Sequence, residues 1–183
     1  MHEEILKFWF NECDAEQWFK KDKKFDLLIR NRFWFVFNDS IEKKLDHWVN
    51  QPMSCLALIL ILDQFSRNLF RKSPKAFDQD CKARELCEVA ISNEYIECYT
   101  LDQRLFALLP LVHSEDIEAH MLAEKMLRIS LNKHPRYANI KSAWDDHRKA
   151  IELFGRYPHR CEVLGLATTK EEKQFLKGPN SSW

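Results

Sequence analysis

The distribution of glycine limits what this chain can fold into more than any other feature of its sequence. The 183 residues include three glycines, Gly155, Gly165 and Gly178, so the first 154 residues contain none. Tight β-hairpins depend on turns such as Asn-Gly, and phosphate loops depend on glycine-rich motifs. The sequence therefore disfavours tight hairpins and excludes both the Walker A loop and the GxGxxG fingerprint from this stretch.

Segments with helical spacing of apolar residues fill most of the chain. Serine and threonine favour the N-cap of a helix, proline its first turn, and glycine the position after its last turn. Such signals lie at helix ends predicted from the apolar pattern, namely at Ser73, Thr100, Ser114, Pro135, Gly155 and either Thr168 or Thr169. We predict a helix over residues 53–70 and another that Ser114 caps, over residues 115–133.

These features predict an all-α fold of antiparallel helix pairs. Successive helices with short connections pack against each other in this way. At this length the chain suits one domain, which we place at residues 1–177. We expect residues 178–183 to form a flexible C-terminal tail.

Composition argues against several classes of partner. Lys plus Arg and Asp plus Glu both number 28, so the chain has no bulk positive charge to favour nucleic acid or an acidic membrane. The longest apolar run is far shorter than the roughly 20 residues of a membrane helix. The six cysteines form no CxxC motif, and the N-terminus lacks a signal-peptide pattern. We predict a cytoplasmic protein that binds neither nucleic acid nor membrane, and the sequence leaves its oligomeric state open.

A polar stripe follows directly on a run of eight apolar residues, Cys55 to Leu62. An α-helix that is apolar on all sides is buried, so the polar side chains that continue it begin inside the protein. These are Asp63, Gln64, Arg67 and Asn68. They form either an interhelical network, with Asp63 and Arg67 paired at i, i+4, or a surface where Arg67 and Asn68 face a ligand.

A second cluster, His113-Ser114-Glu115-Asp116, also has two interpretations. Serine followed by acids is typical of a helix start, because carboxylates oppose the positive end of the helix dipole. This explains the serine and the acids but not His113. His113, Asp116 and His120 could also share a metal, although the sequence indicates no further ligands. We therefore predict no metal and no cofactor.

Two further segments carry candidate residues. His147 lies within an apolar helical stripe, where it is either a hydrogen-bonded core residue or a catalytic base. Arg156, His159 and Arg160 cluster around a stiff Tyr-Pro turn after a helix end. Their charges either close the negative end of that helix or form a fixed anion-binding surface, since arginine suits carboxylates and phosphates.

Together these segments resemble an uncharacterised, mainly bacterial family, domain of unknown function nine-two-four, over nearly the whole chain. The matching motifs are Phe8-Trp9-Phe10, Trp18-Phe19, Leu62 to Asn68, Ala76-Phe77 with Asp80, Leu109-Pro110-Leu111, His113 to Asp116, His147 and Phe154 to Arg160. The resemblance implies a TPR-like helical fold and no known reaction, substrate or cofactor. The chain departs from the family pattern at Ser66, Cys161 and Leu166, where the family usually has proline, asparagine and arginine.

We expect the polar segments to converge on one pocket or groove, and three functions fit it. The first is a module that binds a small anionic ligand or an acidic peptide terminus through Arg67, Asn68, His113, Arg156, His159 and Arg160. The second is a hydrolase with His113 or His147 as general base and Glu115 or Asp116 as its orienting acid. The third is a structural or protein-interaction protein with polar interhelical networks. In all three, the predicted structural members of the network are Asp63, Gln64, Asp80 and Ser114.

Overall fold

The computed structural model describes residues 1–181. Its α-helices are α1 (His2–Lys7), α2 (Ala15–Phe19), α3 (Lys23–Ile41), α4 (Pro52–Ile59), α5 (Ser66–Leu69), α6 (Asp80–Ser92), α7 (Leu101–His113), α8 (Ile117–Ser130), α9 (Tyr137–Phe154), α10 (Cys161–Leu164) and α11 (Lys170–Phe175). Short 3-10 helices lie at Asp46–Asn50, Pro74–Ala76, Tyr95–Cys98 and Pro158–Arg160. No strand occurs within residues 1–181, and the predicted all-α class is confirmed. The TPR-like pairing of the helices and the domain limits stay predictions.

Several helix ends follow the signals in the sequence. Thr100 and Thr169 each form a capping box with the residue three positions on. Gly155 ends α9 with φ +64°, a left-handed conformation that glycine adopts without steric cost. These local predictions are confirmed because each depends only on residues within one turn.

The predicted cap at Ser114 is wrong. Ser114 follows the last residue of α7, and the side chain of Asp116 caps α8 by accepting a hydrogen bond from the backbone N–H of Glu118 at 3.0 Å. The hydroxyl of Ser114 instead accepts a hydrogen bond from Arg84 at 3.2 Å. Both residues are good N-cap types, and the turn between α7 and α8 decides between them.

The predicted helix over residues 53–70 is helical throughout but not uniformly α. Between α4 and α5 it widens into a π-helical segment, Leu60–Phe65, and such segments often mark functional sites. All six residues of this segment are buried, including Asp63 and Gln64. The polar stripe therefore begins inside the protein, as predicted.

The helical stretch from α4 through the π segment lies in the centre of the core. Every side chain from Cys55 to Leu62 is 0% exposed, and α1, α6 and α7 pack against α4. The π segment also contacts α6, whose first residue is Asp80, and α7, whose last residue is His113. Three helices therefore bring polar side chains from distant parts of the sequence to one buried place.

The described end of the chain folds back on itself. The Ser181 hydroxyl is buried and donates hydrogen bonds to the carbonyl oxygens of Leu176 at 3.1 Å and Gly178 at 2.9 Å. Residues 182–183, the end of the predicted tail, lie outside the described residues. Across residues 1–181, none of the helices combines the length and apolar character needed to cross a bilayer.

Candidate functional site

Asp63 is a buried carboxylate held by three side chains. It is 0% exposed, and its Oδ1 lies 2.7 Å from Nδ1 of His113, which is 50 residues away in sequence. Gln64 Nε2 donates a hydrogen bond to Oδ2 at 2.5 Å, and Arg67 Nη2 lies 3.6 Å from Oδ1. The predicted pair of Asp63 and Arg67 is thus present, and His113 joins it from α7.

The contact with Asp63 determines where His113 carries its proton. Burial by itself raises the pKa of Asp63, but attraction from His113 and Arg67 and hydrogen bonds from His113 and Gln64 outweigh it, so the pKa falls to about 2. An ionised carboxylate can only accept hydrogen bonds, so Nδ1 of His113 donates to it. In a neutral imidazole the lone pair is then on Nε2. The side chain of His113 is 16% exposed, so part of it reaches the surface. A histidine that donates from Nδ1 to an ionised carboxylate has the same arrangement as a general base oriented by an acid.

A second carboxylate, Asp80, lies between two arginines. Arg67 donates from Nη1 to Oδ1 at 3.0 Å and from Nη2 to Oδ2 at 3.2 Å, and Arg160 donates from Nη1 to Oδ2 at 3.1 Å. With Asp63, this makes two carboxylates and two guanidinium groups in one largely buried cluster. Buried charges need partners of opposite sign, and here their number balances.

Arg160 also connects this cluster to His113. Its Nη2 donates a hydrogen bond to the backbone carbonyl of His113 at 2.9 Å. Its guanidinium packs on two aromatic rings, 4.5 Å from the centre of Phe77 and 4.6 Å from the centre of Tyr157. Two cation–π contacts therefore add to the hydrogen bonds that hold Arg160 in place.

Three histidines lie around the ring of Tyr157, and a fourth, His113, lies next to one of them. The ring centres of His147, His159 and His120 lie 5.8, 5.4 and 6.3 Å from that of Tyr157, and His113 lies 6.4 Å from His147. Burial lowers the pKa of His147 to about 3, and burial together with the charge of Arg160 lowers the pKa of His159 to about 3. Both imidazoles are therefore neutral in the folded protein near pH 7.

Two of these histidines donate to backbone carbonyls rather than to carboxylates. His147 Nδ1 donates to the carbonyl of Ala143 at 2.7 Å, and His120 Nε2 donates to that of Ser114 at 3.0 Å. The Tyr157 hydroxyl lies 3.2 Å from His120 Nε2 and donates to a backbone carbonyl of α7. His113 differs from them because its hydrogen-bond partner is an ionised acid.

The two acids predicted to orient His113 have other partners. Glu115 Oε1 accepts a hydrogen bond from the backbone N–H of Tyr157 at 2.8 Å. Asp116 caps α8 and pairs with an arginine of α6 at 2.7 Å. The acid that His113 contacts is Asp63, because the end of α7 turns the histidine toward the π segment while the residues after it continue into α8.

Two residues predicted to face a ligand are engaged elsewhere. Arg156 donates from Nε to Glu172 Oε1 at 2.7 Å and from Nη2 to the carbonyl of Ala167 at 2.9 Å. Asn68 donates to Asp26 Oδ1 at 2.9 Å. The structure thus brings Asp63, Gln64, Arg67, Asp80, His113, His147, His159 and Arg160 together, and gives Arg156 and Asn68 other partners.

A second histidine–aspartate pair provides an internal contrast. His134 Nε2 lies 3.1 Å from Asp102 Oδ1, and its Nδ1 accepts a hydrogen bond from the backbone N–H of Arg136 at 3.0 Å. Both ring nitrogens are therefore occupied, and the side chain of Asp102 is 47% exposed. This pair has the same residue types as Asp63 and His113 without a lone pair available for proton transfer.

A small cavity and a surface depression lie along α9. A cavity of about 10 Å³, enough for one water molecule, lies between α7, α8 and α9 beside His120 and Arg148. A surface depression of about 420 Å³ lies along α9, between Ala143 and Asn180. Within residues 1–181, no three His, Cys, Asp or Glu side chains are arranged to hold a metal ion.

Sequence reasoning missed the central position of Tyr157 and the role of Phe77. The signal for Tyr157 was the stiff Tyr-Pro turn that begins two residues after the left-handed Gly155. Such a turn holds a large aromatic residue close to a helix end. Tyr157 is 1% exposed, so the turn directs it into the protein. Nothing in the local sequence marks Phe77 as a partner of Arg160.

Comparison with known proteins supports the resemblance found in the motifs. The sequence profile described as "Bacterial protein of unknown function (DUF924)" matches residues 5–180. A solved structure of a protein of unknown function from Agrobacterium tumefaciens is 34% identical, with a TM-score of 0.86 and 97% of both chains covered. No curated protein matches this chain.

Proposed function

We propose that this chain, which belongs to the bacterial protein family of unknown function DUF924, is a hydrolase whose general base is His113. One observation carries the proposal: the buried, ionised Asp63 lies 2.7 Å from Nδ1 of His113. This contact selects the tautomer that leaves Nε2 as a proton acceptor. It also stabilises the imidazolium that forms when Nε2 takes up a proton.

The nucleophile in this proposal is water. The Ser66 hydroxyl donates a hydrogen bond to the carbonyl of Asp63 at 3.1 Å, and Ser114 is hydrogen bonded to Arg84. Nε2 of His113 removes a proton from water as the water oxygen bonds to the acyl carbon of an ester or amide. The tetrahedral intermediate then breaks its bond to the leaving group, which takes the proton back from His113. One water is consumed, and an acid and an alcohol or amine are released.

The ion pairs around the site favour this function over a simple anion-binding module. A module that binds through Arg67 and Arg156 needs guanidinium groups that can turn toward the ligand. Arg67 is bidentate to Asp80 and Arg156 is bidentate to Glu172, so both would have to give up a carboxylate first. His113 has to give up nothing to accept a proton at Nε2.

The test compares His113→Gln with the matched control His134→Gln. Both variants lose a histidine that contacts an aspartate, but only the first loses an available lone pair. We expect hydrolysis of at least one member of a panel of p-nitrophenyl esters, a loss of about 100-fold or more in kcat/KM for His113→Gln, and little change for His134→Gln. Circular dichroism checks that both variants are folded.

A second measurement tests the tautomer directly. Nitrogen-15 NMR of the imidazole rings distinguishes a protonated Nδ1 from a protonated Nε2. We expect His113 to carry its proton on Nδ1 in the wild type and to lose this preference in Asp63→Asn. A proton on Nε2 of wild-type His113, or ester hydrolysis that His113→Gln leaves intact, refutes the proposal.

A further inference from the structure

We infer that the substrate of this site carries a carboxylate or phosphate group that accepts a hydrogen bond from Nε of Arg160. The inference rests on the proposed function and adds the chemical class of the substrate. It depends on an observation that the general-base argument does not use, namely the hydrogen bonds that Arg160 makes and the one it leaves unmade.

Arg160 has one nitrogen without an acceptor. Nη1 donates to Asp80 at 3.1 Å and Nη2 donates to the carbonyl of His113 at 2.9 Å. Nε is fully buried and has no hydrogen-bond partner among the described residues. The whole side chain is only 9% exposed, so solvent has little access to Nε. Buried donors are nearly always paired, and an unpaired one costs roughly 1–3 kcal/mol. A buried cationic donor without an acceptor is what a site for an anion leaves before the anion binds.

The orientation of Arg160 restricts how a ligand can reach it. Phe77 and Tyr157 both pack on the guanidinium, and Nη1 and Nη2 already have acceptors, so Nε is the donor left for a ligand oxygen that approaches edge-on in the guanidinium plane. Oxygen atoms of carboxylates and phosphates bind arginine in this edge-on geometry. The hydrogen bond from Nη2 to the backbone carbonyl of His113 links this edge to the residue whose ring is the proposed base.

Several cationic side chains act on this turn. His159 directly precedes Arg160. Burial is the largest cause of the lowered pKa of His159, and the next largest is repulsion from the cations Arg160 and Lys21, to which Arg67 adds. Asp63 and Asp80 already balance Arg67 and Arg160. A negative substrate group then offsets the charge that appears when His113 becomes protonated. Since Nε is shielded from solvent, binding also requires a small displacement of the Pro158–Arg160 turn.

The experiment is an NMR titration of the full chain with inorganic phosphate and with acetate. The readouts are the Nε–Hε signal of Arg160, the ring signals of His113 and the backbone amides of Pro158–Arg160, with sodium chloride added to the same ionic strength as the reference. We expect a saturable shift of all three with phosphate, acetate or both. We expect Arg160→Lys, which keeps the charge and loses Nε, to abolish the saturable shift of the His113 ring.

Arg156→Lys is the matched control, because Arg156 is a nearby arginine already bidentate to Glu172. It should retain the saturable shift. No shift of wild-type Arg160 with either anion, or an equal shift with chloride, overturns the inference. The tautomer of His113 is read in the same sample. An intact Nδ1–H tautomer without anion binding therefore refutes this inference alone, and a wrong tautomer refutes the proposed function.

Discussion

Replacing His147 by glutamine should remove a defined part of the pH dependence of stability. His147 is 8% exposed, donates from Nδ1 to Ala143, and packs on the ring of Tyr157. Glutamine keeps a donor and does not titrate. The variant therefore isolates the protonation of this one buried imidazole from the other contributions to stability.

The sign and size follow from the pKa in the two states. Burial lowers the pKa of His147 to about 3 in the folded protein, against 6.5 for an unperturbed histidine. Well above pH 6.5 neither state is protonated and the full stability is present. As the pH falls from 6.5 toward 3, the unfolded state binds a proton that the folded state excludes, so stability is lost. At about 1.4 kcal/mol per pH unit, His147 should account for a loss of about 2.5 kcal/mol between pH 7 and pH 4.5.

Other titratable groups surround His147, so the prediction concerns a difference. The titratable side chains around it are those of His113, His120, Tyr157 and His159. Their contributions are largely common to the wild type and the variant, and they cancel when the two pH dependences are subtracted.

The assay is chemical denaturation at pH 7 and pH 4.5, followed by circular dichroism. The wild type should lose about 2.5 kcal/mol more than His147→Gln over this interval, a large share of the 5–15 kcal/mol typical of a domain. His47→Gln, at an exposed histidine, is the control and should behave as the wild type. Equal losses in the wild type and His147→Gln would refute the assignment of a buried neutral imidazole.

Two further predictions test the fold. Gly155→Ala should lower the free energy of unfolding by about 1 kcal/mol, because alanine is strained at a φ of +64°. An added Cβ meets no atom within 4 Å, so no steric clash adds to this cost. A denaturation curve that overlays the wild type would contradict this. Leu58→Ala, in the fully buried run, should cost about 2–5 kcal/mol, whereas Leu153→Ala at a 57% exposed leucine should change stability by about 0.5 kcal/mol or less. Thermal unfolding separates these two outcomes, and similar melting temperatures for both leucine variants would argue against the central position of α4.

The local features of the site were readable from the sequence, while the hydrogen-bond partners were not. Asp63 was predicted as a buried structural acid because it follows eight apolar residues, and it is buried. Its principal partner, His113, was grouped instead with Glu115 and Asp116, the acids nearest in sequence. Residues adjacent at a helix end point in different directions, so proximity along the chain was a poor guide to contact.

The arginines show the same limit. Arg156 and Arg160 are four residues apart, and one of the two interpretations of their segment places both on one anion-binding surface. The turn at Tyr157 directs Arg160 into the core beside Asp80, while Arg156 pairs with Glu172 in α11. Sequence alone could not separate them because both belong to one short basic segment.

The sequence by itself determined the helical class, because its apolar residues recur at helical spacing and its helix ends depend on nearby residues such as Thr100 and Thr169. Tertiary structure alone decided the chemistry of the site. The contact of Asp63 with His113 joins residues 50 positions apart and depends on how the π segment rotates its side chains toward α7. A helix signal acts within one turn, whereas a hydrogen bond between helices depends on their rotation and crossing, which no local pattern specifies.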